Sequence, residues 1–102
     1  MPFGTPVTTE ITLVGIEADK VITTKLNFKG ATTLTISSGT ITITQSIHYV
    51  DTEGGAASDD LDTINGGTAG DILYLRAADS SRTVVIKHGT GNIVTPNGKD
   101  YY

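Results

Sequence analysis

The first residues in this chain that could do chemistry form an acidic run. Asp59, Asp60 and Asp62 lie close together in a stretch that also contains Asp51 and Glu53. Carboxylates held near one another relieve their repulsion by binding a hard cation such as Ca²⁺ or Mg²⁺. The spacing is not that of an EF-hand loop, and a solvated acidic loop accounts for the same residues. We therefore expect no bound metal; if one bound, Asp59, Asp60 and Asp62 would be the main candidate ligands.

The second candidate chemistry is a hydrolytic triad built on a histidine. His48 and His88 are the only histidines, and Asp79, Ser80 and Ser81 could supply an acid and a nucleophile. No Gly-x-Ser-x-Gly elbow accompanies them. Both histidines fall on predicted strands, where a packing role is the usual one. The sequence therefore predicts neither catalysis nor a cofactor.

A glycine-rich stretch, residues 66–74, approaches the calcium-binding nonapeptide of β-rolls. Its fourth position is Ala69 rather than glycine, and the motif works only as stacked copies. Here there is a single copy, so a plain turn leading into a strand is the expected structure.

Composition limits what else the chain can do. It has 102 residues, a net charge of −4, 6% aromatic residues and no cysteine. Disulfides and cysteine-based zinc sites are excluded, and scattered basic residues argue against binding nucleic acid. No apolar run approaches the roughly 20 residues that cross a bilayer, and no secretory signal is evident. A core this thin favours stabilisation by association with further copies of the chain.

The elements that must position these residues are predicted to be short β-strands. Residues 40–50 alternate strictly, which places Ile41, Ile43, Ile47 and Tyr49 on one face and threonines with His48 on the other. We predict that this apolar face belongs to a subunit interface. Further β-rich runs occupy the following ranges: 11–15, 21–24, 26–28, 33–37, 71–76, 82–88 and 92–95.

Turn signals between these runs predict two antiparallel hairpins. Ser38 and Gly39 join 33–37 to 40–50, and residues 77–81 join 71–76 to 82–88. Arg76 and Arg82 flank the second turn, either as partners of Asp79 or as contacts to a neighbouring subunit. Between the hairpins, Ser58 is a candidate cap for one helical turn.

Three segments make up the predicted organisation. Residues 1–10 are an extended arm or a frayed terminus, residues 11–95 a single β domain, and residues 96–102 a tail. Tyr101 and Tyr102 in that tail are either disordered or an aromatic anchor. Within the arm, we predict contact with a larger particle through three residues: Pro2, Phe3 and Pro6.

The sequence resembles a module of structural proteins of tailed bacteriophages. Residues 50–67 (VDTEGGAASDDLDTINGG), 70–76 (GDILYLR) and 82–93 (RTVVIKHGTGNI) carry the resemblance, which covers about 38–95. It implies β-rich homotrimers found in tail fibres, head fibres and capsid decoration proteins, with no cofactor and no turnover. A small, single-module chain fits a capsid decoration protein best.

We therefore expect an all-β chain of short antiparallel strands and hairpins, arranged as a sandwich, prism or barrel that is completed in a homotrimer. The expected function is structural, on the surface of a phage virion assembled in the host cytoplasm, with the major capsid protein or another virion protein as partner. The alternative is a tail-fibre or receptor-binding module that recognises host carbohydrate through Tyr49 and Tyr74. Neither membrane nor nucleic acid is an expected partner.

Overall fold

The computed structural model describes residues 14–102, and these residues form an all-β fold, as predicted. The strands are β1 (Thr32–Thr35), β2 (Thr40–Thr42), β3 (Ile47–Asp51), β4 (Ser58–Leu61), β5 (Thr63–Asn65), β6 (Tyr74–Ala77) and β7 (Thr83–Ile86). A single 3₁₀ turn, Glu53–Gly55, lies between β3 and β4. Within this part of the chain, no helix is suited to crossing a membrane.

All strand ladders in the described residues are parallel. The sheets have the strand orders β1-β3-β6, β2-β5 and β4-β7. The chain therefore coils, and each pass lays its strands on those of the preceding pass. This is the connectivity of a β-solenoid, in which backbone groups pair between coils rather than between neighbours in sequence.

The predicted antiparallel hairpins are wrong. The tight turn at Ser38 and Gly39 does form, with φ of 48° and 76° and a single antiparallel bridge between Ser37 and Thr40. Its flanking strands then diverge, because β1 pairs with β3 while β2 pairs with β5. In the second predicted hairpin, β6 likewise pairs with β3 while β7 pairs with β4.

Other local predictions also need correction. Residues predicted to form a helical turn capped by Ser58 instead form β4. No strand occupies 14–31 or 92–95. Residues 11–13 of the run predicted at 11–15 lie outside the described residues. The whole of the predicted arm, 1–10, also lies outside them.

One apolar core lies between the three sheets. Its fully buried members are Ile36, Ile41, Val50 and Leu61. Side chains from every sheet pack against them, including Leu75 of β6, Ile64 of β5 and the following others: Leu34, Ile43, Val84, Ile86 and Ile93. The parallel register places isoleucine beside isoleucine in neighbouring strands, since Ile41 is the partner of Ile64. The burial of these side chains supplies the main driving force for folding.

His48 belongs to this core, contrary to the face predicted for it. Its side chain is 0% exposed, while Ile47 and Tyr49 lie half-buried on the outer face of β3. The continuous strand predicted over 40–50 is interrupted between Thr42 and Ile47. Because side chains alternate along a strand, this interruption changes which residues face inward.

Candidate interaction surface

A cavity of about 620 Å³ lies at the end of the core formed by the last strands. Tyr101 and Tyr102 line it together with Leu73, which directly precedes β6, and with apolar side chains from all three sheets: Val50, Ile64, Leu75, Val84 and Ile86. Leu75 and Ile86 point into the core from β6 and β7, the last strands of their sheets. With no further coil in the described chain to cover them, the end of the core stays open.

At this end, the outer edges of two of the three sheets are hydrogen-bonded to other parts of the chain. Tyr101 exchanges both backbone hydrogen bonds with Ile86, at 2.7 and 2.9 Å, and so covers the edge of β7. The Asn92 carboxamide imitates a strand on β5 by accepting from the Ile64 amide (2.8 Å) and donating to the Ile64 carbonyl (2.7 Å). On β6, no described strand pairs with the outer edge. Such an edge is a template for pairing with another chain.

Arg82 is fixed at the rim of the cavity by two carboxylates. Its Nε and Nη2 atoms donate to Asp51 at 2.8 and 3.2 Å, and Asp79 lies 3.6 Å away. The hydrogen bond to Asp51 raises the pKa of Arg82. Hydrogen bonds from the Ser81 side chain and backbone, followed by the Arg82 charge, lower the pKa of Asp79. The group stabilises the turn between β6 and β7.

Arg76, also at the rim, does not form the ion pair with Asp79 that was one of the two alternatives for it. Its guanidinium lies over the Tyr49 ring, 4.1 Å from the ring centroid, in a cation–π contact. Among the described residues, no carboxylate lies within ion-pair distance of it. Arg76 is therefore an exposed cation at the rim without an anionic partner in this part of the chain.

The residues predicted for a subunit interface do not share one surface. Ile41 is 2% exposed in the core and Ile43 packs on that core, so neither faces outward from this chain. Ile47, Tyr49 and Arg76 do lie together on the outer face of the first sheet, because Tyr49 and Arg76 are register partners. The virion contact predicted at Pro2, Phe3 and Pro6 lies outside the described residues.

The three aspartates considered as metal ligands do not converge. The Asp59 carboxylate accepts from the Glu53 and Asp60 amides at 2.7 and 2.9 Å, and Asp62 accepts from the Thr63 hydroxyl at 2.7 Å. Over residues 14–102, no group of three acidic or histidine side chains is arranged to hold a metal. Of the three, the Asp59 carboxylate joins the 3₁₀ turn to β4 through the Glu53 amide.

Both histidines form hydrogen bonds to the backbone. Both ring nitrogens of His48 are engaged: Nε2 accepts from the Thr44 and Gln45 amides at 3.1 and 3.2 Å. The other nitrogen, Nδ1, lies 2.9 Å from the Thr32 hydroxyl and 3.1 Å from the Thr32 carbonyl. His88 Nδ1 accepts from the Thr95 amide at 3.0 Å. Sequence reasoning missed the role of His48, which is to hold the interruption before β3 together.

The C-terminal segment is held in place partly by an ion pair, which makes its docking sensitive to pH. Asp100 lies 2.8 Å from Lys87 and also accepts from the His88 amide at 2.8 Å. The Lys87 hydrogen bond, followed by that from His88, lowers the pKa of Asp100 below its usual value near 3.8.

Acid should therefore release this segment. A carboxylate whose pKa is lowered by folding stabilises the fold above its unfolded pKa, and this stabilisation is lost as the pH falls through the folded value. We expect the protection of the Tyr101 amide, measured as its exchange rate relative to the intrinsic rate at each pH, to fall once the pH drops below about 4. Asp100→Asn should remove this loss of protection, and an equal loss in that variant would contradict the assignment.

Residues 14–31, which precede β1, lie on the surface. Val14, Ile16, Val21, Ile22 and Leu26 are all exposed, Val14 to 93%. Only the later part of this segment contacts the sheets. Phe28 packs on Tyr74 with ring centroids 6.2 Å apart, and the Gln45 side chain donates to the Gly30 carbonyl. This segment is the second apolar feature of the described chain without a partner in it.

Comparisons with protein-family models, curated proteins and solved structures found no match to this chain.

Proposed function

We propose that this chain is a structural protein that acts by associating with copies of itself, as a surface component of a bacteriophage virion. The observation that supports self-association is the open end of the core, where an apolar cavity adjoins an edge of β6 with which no described strand pairs. Solenoids need their ends covered for solubility. A homotrimer, whose symmetric copies would cover these ends, is the proposed form.

The virion as location rests on the resemblance of residues 38–95 to modules of phage structural proteins, and decoration or stabilisation of the capsid is the proposed role. The absence of catalysis is also proposed. It is supported by the hydrogen bonding of His48 and His88, which uses both nitrogens of the first and Nδ1 of the second within the fold. No cofactor is part of the proposal.

Native mass tests the association. Light scattering across a wide range of protein concentrations should give a trimer that persists on dilution. A stable monomer at every concentration would overturn the proposal. Dissociation caused by a chelator would give the acidic residues around Asp59 and Asp60 a role in binding metal, against our expectation.

The predicted contact with the capsid can be tested separately from association. Phe3→Ala, or removal of residues 1–10, should lower the number of copies bound per capsid in a sedimentation assay. The number of subunits per oligomer should stay the same. The physical reason is that an aromatic side chain buried in a contact contributes much of its binding energy. Full occupancy by both variants would remove the arm from the mechanism.

Recognition of host carbohydrate is the second candidate function. Tyr74 is 56% exposed and lies beside Phe28, so an aromatic surface is available for a sugar ring. Tyr49, the other tyrosine predicted to contact carbohydrate, is covered by Arg76. Reproducible binding of the oligomer to a defined glycan on an array would favour a receptor-binding module over capsid decoration.

A further inference from the structure

In the described residues, an open apolar cavity and an exposed apolar segment could complement each other. One is the cavity at the open end of the core, beside the free edge of β6. The other is the leading segment, defined here as residues 14–19, in which Val14 is 93% and Ile16 57% exposed. An extended segment can supply both the backbone partner that an edge strand lacks and the apolar side chains that a cavity lacks.

Charge also matches between the two features. The leading segment carries Glu17 and Asp19, and neither carboxylate forms an ion pair with a described cation. At the rim of the cavity, Arg76 has no carboxylate partner among residues 14–102, whereas Arg82 already has Asp51 and Asp79. An acidic segment is therefore a better occupant than a basic one, and the later residues Lys20, Lys25 and Lys29 would place positive charge there.

We propose that the leading segment of one copy binds in the cavity of a neighbouring copy. Val14 and Ile16 would contact the side chains of Leu75 and Ile86, and Glu17 or Asp19 would pair with Arg76. Each copy gives one segment and receives one, so the contact is heterologous and can close into a ring. This inference rests on the proposed self-association and identifies the surface that produces it.

Cross-linking tests the contact directly, because the chain has no cysteine of its own. In the double variant Ile16→Cys with Ala77→Cys, mild oxidation should give covalent dimers and trimers, since a disulfide requires close approach of the two residues. The matched control replaces Ala77→Cys with Thr68→Cys, which lies outside the cavity and should give no such ladder. An exclusively intrachain disulfide would overturn the exchange between copies.

Charge reversal provides a second test that does not depend on oxidation. Arg76→Glu should weaken self-association about tenfold or more, because it places like charges together. Adding Glu17→Arg and Asp19→Arg to that variant should restore most of the affinity, which a loss of the Tyr49 contact alone would not allow. Absence of any rescue would overturn the pairing with Arg76.

Truncation separates failure of this inference from failure of the proposed function. Removal of residues 1–13 should leave the number of subunits in the oligomer unchanged. Removal of residues 1–19 should instead give monomers by light scattering that remain folded by circular dichroism. If the full chain is a trimer and the 1–19 truncation remains one, the inference fails while self-association stands. If the full chain is a monomer throughout, both fail.

Discussion

His48→Leu is expected to lower the free energy of unfolding by about 3 kcal/mol or more. Leucine fills the space of the imidazole but accepts no hydrogen bond, so the Thr44 and Gln45 amides that now donate to Nε2 would be left without that acceptor. An amide that loses its acceptor where water has limited access costs about 1–3 kcal/mol, and both of these hydrogen bonds lie in a part-buried site. Two such amides, together with the lost contact to Thr32, account for the expected effect.

Urea denaturation at a fixed protein concentration measures this change, and the concentration must be fixed because association adds to apparent stability. The matched control is His88→Leu, since His88 is the only other histidine and its ring accepts from one backbone amide, that of Thr95. We expect that variant to lose about 1 kcal/mol. Equal losses in the two variants would show that the hydrogen bonds of His48 have no special weight.

Gly66→Ala is expected to lower the free energy of unfolding by about 3 kcal/mol. Gly66 has a φ of +86°, and a Cβ atom there would lie 2.5 Å from the Ile43 carbonyl oxygen. The left-handed conformation costs a residue with a side chain about 1–2 kcal/mol. The contact with a backbone oxygen adds to it, because the coil carrying Ile43 is held in place by the hydrogen bond from the Ile43 amide to Asn65.

Gly70→Ala separates these two contributions. Gly70 has a similar φ of +96°, but a Cβ atom there meets nothing within 4 Å. This variant should therefore show the conformational cost alone, about 1–2 kcal/mol. Thermal unfolding of both variants gives the comparison, and a Gly70→Ala loss as large as that of Gly66→Ala would mean that the close approach of the two coils contributes nothing.

The sequence located most of the strands but not their pairing. β2 and β7 fall inside predicted runs, and β3 and β6 do so except for their last residue, because alternation and β-branched residues act over a few neighbours. The turn at Ser38 and Gly39 was predictable for the same reason. β4 and β5 were not predicted as strands. Pairing depends on contacts between successive coils, such as Thr32 with His48 and Ile47 with Tyr74, and no local pattern encodes these partners.

The candidate surface was predictable only in fragments. Arg76 and Arg82 could be singled out as flanking one turn, but their different partners, Tyr49 and Asp51, come from another coil. The cavity between the last strands could not be foreseen, since its lining comes from all three sheets. Asn92 gave no signal either, because a carboxamide imitates a strand only where a free strand edge is beside it.

By itself, the sequence determined that this chain is all-β, free of cysteine, acidic and thinly cored, because composition and short-range alternation suffice for those properties. Only the tertiary structure decided which face of each strand is buried. The interruption between β2 and β3 exchanges the inward roles of Ile47 and His48, and the His48 ring in turn binds the amides of that interruption. Side-chain burial alternates along a strand, so one such long-range contact reverses what the local pattern predicts.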